Sequence, residues 1–208
     1  MIRKIWVLAA LLLAVPVAAS AQWEEGVHYQ KLSSPLDTLY EDQYEVAEVF
    51  WYGCPACHQM QPVIERWKET KADDVALRHV PAPLRADWRP HAQAYYVAQE
   101  LDILEEVHQA LFDALAGERR NLSSRDSIAA FFAAETDVDE QAARDAWDSF
   151  SVDAAMRRGR QFVQGAGVTG TPSVVVEGKY MISVRGAGSF ENMLAIADYL
   201  VEQERASD

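Results

Sequence analysis

The apolar and polar positions of the chain fall into three stretches. In the first, "YEVAEVFWYG" (Tyr44–Gly53) is an apolar run rich in β-branched and aromatic residues, which predicts a buried strand. Pro55 follows at a position suited to the first turn of a helix, where no amide hydrogen bond is lost. Met60, Val63, Ile64 and Trp67 then recur at helical spacing, and Pro62 within that helix should kink it. "DVALRHVPA" (Asp74–Ala82) reads as a second strand.

From Leu84 to Gly159 the period changes. "HAQAYYVAQEL", "ILEEVHQALFDAL", "SSRDSIAAFFAAE" and "DEQAARDAWDSF" each carry a helical stripe. Ser123 or Ser124, and Thr136 or Asp137, are the expected N-caps, and "ETDVDE" reads as a solvated helix start. Strands return at "TPSVVVEGKYMI" (Thr171–Ile182), where Glu177-Gly178 supplies the turn of a hairpin. "SFENMLAIADYLVEQE" closes the chain as an amphipathic helix with Phe190, Leu194, Ala197 and Val201 on one stripe. The expected architecture is therefore an α/β unit from residues 22–83 and 160–208, with an all-helical insertion at 84–159.

The ends and the charge narrow the setting. Arg3 and Lys4 precede "IWVLAALLLAVPVAA", which leads to Ala19-Ser20-Ala21, the pattern of a signal peptide cut before Gln22. The run falls short of the roughly 20 residues a membrane span needs. Removing residues 1–21 takes those two bases and no acid, so 19 bases become 17 against 32 acids and the net charge moves from −13 to −15. Such a field repels nucleic acid and anionic membrane surfaces.

Candidate chemistry is concentrated in "GCPACH" (residues 53–58), which holds both cysteines of the chain, Cys54 and Cys57. A disulfide closing four residues stabilises by only about 2 kcal/mol, against roughly 3 for a fifteen-residue loop, so the spacing speaks for chemistry rather than architecture. As a redox dithiol, Cys54 would sit at a helix N-terminus, where free amides and the helix dipole favour thiolate, and Cys57, one turn on, would be less exposed and resolve a mixed disulfide. Dithiol exchange needs no cofactor and no metal. C-x-x-C-H is also the attachment pattern of a c-type haem, with His58 on iron and Met181, Met193 or His79 as the opposite ligand. A zinc site would need a second ligand pair, and His28, His79, His91 and His108 are scattered in sequence.

Beyond spacing, "AQWEEGVHYQKL", the "CPAC" turn, the helical insertion and "GVTGTPSVVVEGKY" together resemble the DsbA family of periplasmic thiol:disulfide oxidoreductases, over essentially the whole mature chain. The resemblance implies a monomeric thioredoxin fold with a helical insertion, an attacking Cys54, a buried resolving Cys57 and a cis-proline at Pro172. It implies that Thr171 presents backbone groups to an extended substrate segment. Glu48 matches the family's buried acid; on so apolar a strand its pKa should be raised, suiting proton exchange with Cys57. Pro55, Ala56 and His58 would tune the potential, and Ala56 stands where many members carry His. Thr171 replaces the more usual Val, and Pro62 resembles the helix-kinking proline of thioredoxin. The implied partners are reduced secreted proteins and a membrane quinone-linked oxidase of the DsbB type.

Overall fold

A computed structural model describes residues Gln22–Ser207; the expected signal segment at 1–21 lies outside them. Five strands form one mixed sheet: β1 (Gln30–Lys31), β2 (Tyr44–Phe50), β3 (Val75–Pro81), β4 (Ser173–Val176) and β5 (Tyr180–Ser183). Their order is β1-β5-β4-β2-β3, with only β2 and β3 parallel. The central strand β2 is buried on both faces, as its unbroken apolar run requires. Alternation sends Val46 to one side, under α1 (Pro55–Lys68) and α8 (Phe190–Arg205), and Ala47 and Val49 to the other.

Helices α2 (Arg89–Glu100), α3 (Leu104–Phe112), α4 (Arg125–Glu135), α5 (Glu140–Trp147) and α6 (Phe150–Gly165) make up the helical stretch, and the short α7 (Val184–Ala187) links β5 to α8. Helix α3 runs on into one π-helical turn, Asp113–Gly117. The helical core does not close on itself: Phe112, Leu111 and Val107 pack in one cluster with Phe50, Tyr52 and both cysteines. The boundary expected between residues 159 and 160 falls inside α6, which runs through it unbroken. The second half of that helix places Phe162 and Val163 against Ala47, Val49 and Val175 of the sheet, so its hydrophobic stripe spans both parts.

Two local expectations are corrected. Ser124 caps α4 as expected, its hydroxyl accepting from the Ser127 amide at 3.2 Å, but Thr136 ends α4 rather than starting α5. The cap of α5 is Asp139, whose carboxylate accepts from the Gln141 and Ala142 amides; a carboxylate there also suits the positive end of the helix. The two-residue strand β1 was absent from the expected set because two residues carry no period.

The β4–β5 hairpin turns through Glu177 and Gly178, both with positive φ (51° and 58°), the geometry that matches strand twist. Its tip clamps the N-terminal segment: the Leu36 amide donates to the Gly178 carbonyl (2.9 Å) and the Leu32 amide to that of Lys179 (2.8 Å). A Cβ on Gly178 would collide with the Leu36 backbone, whereas one on Gly26, also at positive φ, would meet nothing. Gly26→Ala should therefore cost only the roughly 1–2 kcal/mol of a left-handed backbone. Gly178→Ala should add about 1–3 kcal/mol of overpacking to that. Urea unfolding of the two variants checks the difference, and equal losses would refute the clamp.

Candidate active site

The turn after β2 sets the site. The Cys54 amide donates to the Trp51 carbonyl (2.9 Å), and Cys54 then caps α1 with extended backbone. Pro55 follows as the first helical residue, as expected, and α1 runs on through Pro62. This cap is a sulfur: Cys54 Sγ accepts from the Cys57 amide at 3.4 Å, in the place where Ser or Asp would put oxygen. One turn on, Cys57 is fully buried, whereas Cys54 keeps 9% of its surface. Both are free thiols.

Across from them, Thr171–Pro172 is a cis peptide, and the Thr171 carbonyl lies 3.5 Å from Cys54 Sγ, close enough to accept from the thiol. Cys54 is thus held between a helix end of its own chain segment and a loop from 117 residues further on.

The two thiols differ sharply. The Cys54 pKa is lowered to about 6, first by a hydrogen bond from the Cys57 thiol, against the opposing effect of burial, then by the Thr171 hydroxyl and the Cys57 and Ala56 amides. Burial, the hydrogen bond to Cys54 and the Cys54 charge push Cys57 far above the ordinary thiol range. The negative charge belongs to Cys54 alone. The largest contribution comes from the partner thiol, whereas spacing pointed to the helix end; amides and dipole assist it.

Glu48 is 1% exposed, which rules out a solvent-facing strand glutamate. Its carboxylate accepts from Gln61 Nε2 (2.9 Å) and pairs with His79 Nδ1 (2.7 Å). Gln61 Nε2 also reaches the Cys57 carbonyl at 3.4 Å, so the acid lies just behind the buried thiol. His58 directs its ring away from the sulfurs: Nε2 meets Asp113 Oδ1 at 2.7 Å and the ring stacks on Phe112. Its tie to Cys54 is the backbone bond from its amide to the Cys54 carbonyl, 3.1 Å.

Sequence reading missed Gln61, His79 and His108. Gln61 stands four residues after Cys57, a legible helical spacing, but His79 reaches Glu48 only through the parallel register of β2 and β3. The histidines that seem scattered are partly assembled: the rings of His79 and His108 lie 4.7 Å apart. Among the described residues no group of three His, Cys, Asp or Glu side chains is placed to hold a metal. The haem reading fails on access, since Cys57 has no exposed surface, His58 is engaged by Asp113 and Met193, on α8, is buried against α1 and the sheet.

An acidic capping thiol over a buried one, at a strand-to-helix turn and opposite a cis-proline, defines a thiol:disulfide oxidoreductase of thioredoxin fold. The comparisons agree. Residues 45–196 match the DSBA-like thioredoxin domain. The thiol:disulfide interchange protein DsbA of Pseudomonas aeruginosa PAO1 is 33% identical, covering 99% of this chain and 98% of that one. Its namesake from Azotobacter vinelandii is 35% identical over 88% and 85%. The crystal structure of Pseudomonas aeruginosa DsbA superposes with a TM-score of 0.84 at 34% identity, covering 89% of this chain and 96% of that one. The chain belongs to the DsbA family.

The thiol pair sets a pH dependence. Between about 6 and about 8.5 the unfolded chain still carries a proton that folded Cys54 has released, so stability rises with pH. Above about 8.5 the unfolded chain loses both thiol protons while folded Cys57 keeps its own, so stability falls again. Denaturant unfolding of the reduced minus the oxidised protein, whose disulfide does not titrate, should thus peak near pH 8–8.5; parallel profiles for the two forms would contradict the assignment. In a second test, Ala56→His should lower the Cys54 pKa below about 6, read by thiolate absorbance, because an imidazolium joins the amides facing the sulfur.

Proposed function

We propose that this enzyme acts in the periplasm as a disulfide donor to newly exported proteins. The single observation that carries the proposal is the split between the thiols. Stabilising the Cys54 thiolate stabilises the reduced protein, and a dithiol whose reduced form is favoured has an oxidising disulfide. Such a disulfide is given away to a substrate.

The steps follow from the geometry. A substrate thiolate attacks Cys54 Sγ, the sulfur with exposed surface; the Cys54–Cys57 bond breaks and Cys57 leaves with the electron pair. A second substrate thiolate then attacks the substrate sulfur of the mixed disulfide, and Cys54 leaves as its stable thiolate. The substrate loses two electrons and the enzyme gains them. Thr171 and Pro172 face the same sulfur and offer backbone to an extended substrate segment, in the manner of strand addition. Glu48, behind Cys57, exchanges the proton that the buried thiol must gain or lose. Pro55 and Ala56 shape the helix start that holds the Cys54 charge, and His58 acts from the margin through its backbone and Asp113.

Export rests on the basic start, apolar run and Ala19-Ser20-Ala21 of the sequence. The protein works as a monomer, and a DsbB-type membrane quinone-linked oxidase regenerates its disulfide.

Cys54→Ser should abolish oxidation of a reduced test protein. Cys57→Ser cannot form the enzyme disulfide, but its Cys54 thiolate should attack the disulfide of an oxidised test protein, displace one substrate thiolate and accumulate as a mixed disulfide that no Cys57 resolves. Equilibration with glutathione gives the potential. Values nearer the roughly −120 mV of an oxidant are expected, and one near the roughly −270 mV of thioredoxin would overturn the direction of transfer.

A further inference from the structure

Among the described residues, one buried side-chain nitrogen has no hydrogen-bond partner: Nε2 of His108. Its other nitrogen, Nδ1, lies 2.8 Å from the hydroxyl of Tyr52. Tyr52 is fully buried and this is its hydroxyl's one hydrogen bond among the described residues, so the hydroxyl donates and Nδ1 accepts; the reverse would leave the phenol proton unpartnered as well as Nε2. The unpartnered Nε2 therefore carries the proton, a donor with nothing to donate to. Burial also keeps His108 neutral, aided by the nearby His79 and Lys68.

The neighbouring ring is complementary. His79 meets the Glu48 carboxylate through Nδ1, and in the neutral ring that donates there Nε2 is an acceptor. Both histidines line a groove of about 580 Å³ with Gln61, Glu65, Lys68 and Glu105. The groove is polar enough and large enough for several waters, each of which occupies about 30 Å³ in the liquid. It opens on the side of the molecule behind the sulfurs, where Gln61 and Glu48 back onto Cys57.

We propose that His79 is the port through which the Glu48–Cys57 pair exchanges protons with solvent, and that His108, packed ring to ring beside it, holds it in place. The inference rests on the disulfide-donor reading and extends it. When substrate thiolate opens the disulfide, the bond to Cys54 forms, the Cys54–Cys57 bond breaks, and Cys57 takes the proton of Glu48. The carboxylate so formed accepts the His79 Nδ1–H, the arrangement seen here with both thiols free. Nε2 of His79 then recharges the pair with one proton from the groove. Reoxidation returns that proton by the same route, so no other reactant is needed.

His79 is a relay and His108 a positioning residue. The titratable groups facing them are Glu48 and Tyr52 from β2 and its end, Cys57, Glu65 and Lys68 from α1, Tyr95 from α2, and Glu105 from α3. Glu65 and Lys68 pair with each other at 3.0 Å, which leaves His79, beside the non-titrating amide of Gln61, as the groove's titratable link to the buried acid.

The test uses the full-length mature protein and single-turnover oxidation of a reduced peptide. His79→Asn keeps a donor for Glu48 but cannot pass a proton. It should slow the reaction about 100-fold, the lower end of general acid–base effects, while the glutathione equilibrium stays put. His79→Ala should be equally slow and recover with added imidazole, which fits the groove. His108→Ala removes the ring packed beside His79; its rate should fall severalfold with a shifted acid limb in the pH profile. Wild-type rates in His79→Asn, or a slow His79→Ala that imidazole does not rescue, would overturn the proposal. Failure of the disulfide-donor reading itself would show separately, as unaffected substrate oxidation in Cys54→Ser.

Discussion

Everything at this site depends on an unequal division of burial between two sulfurs three residues apart. Cys54 and Cys57 share one helical turn, yet one faces amides and a rim of solvent while the other sits under the sheet. A charge inside an apolar core is expensive, so the pair holds one negative charge and places it on the outer sulfur. The inner thiol then serves as a donor to its own partner. Neither environment would exist without the other, because the helix that exposes Cys54 is the helix that buries Cys57.

The remainder of the fold maintains that division. Strand β2 delivers the chain to the turn and also carries Glu48 on the face that looks toward Cys57. Phe50, Phe112 and Leu111 fill the space beside the inner thiol, so the helical insertion is part of the wall of the site. Trp51 packs flat against Trp88, ring centres 4.2 Å apart, and donates to His91 at 2.8 Å, tying the turn to the start of α2. Gly53 is required beside it, since a Cβ there would run into the Trp51 ring.

What could be read from the sequence was what is local. The strand before the cysteines, the helix after them, the Glu177-Gly178 turn and the C-terminal helix all follow from period and turn chemistry within a dozen residues. The unequal burial of the cysteines followed from spacing, and the cis peptide at Pro172 from resemblance. The second ring of residues was not legible. His79 meets Glu48 because β2 and β3 are parallel and in one register, and His108 meets His79 because α3 brings its ring there across the helical insertion's contact with the sheet. Register and packing are properties of the assembled chain, and no window of sequence contains them.

The loop that faces Cys54 comes from far along the chain, with its hairpin inserted between β1 and β2. A polypeptide emerges N-terminus first and acquires its domains in that order. The cysteines, β2 and β3 are therefore present long before Thr171, Pro172 and the strands that close the sheet. During that interval Cys54 lacks the threonine hydroxyl and a finished platform for other chains. Topology thus completes the substrate-facing side of the site only once nearly all of the chain has been made.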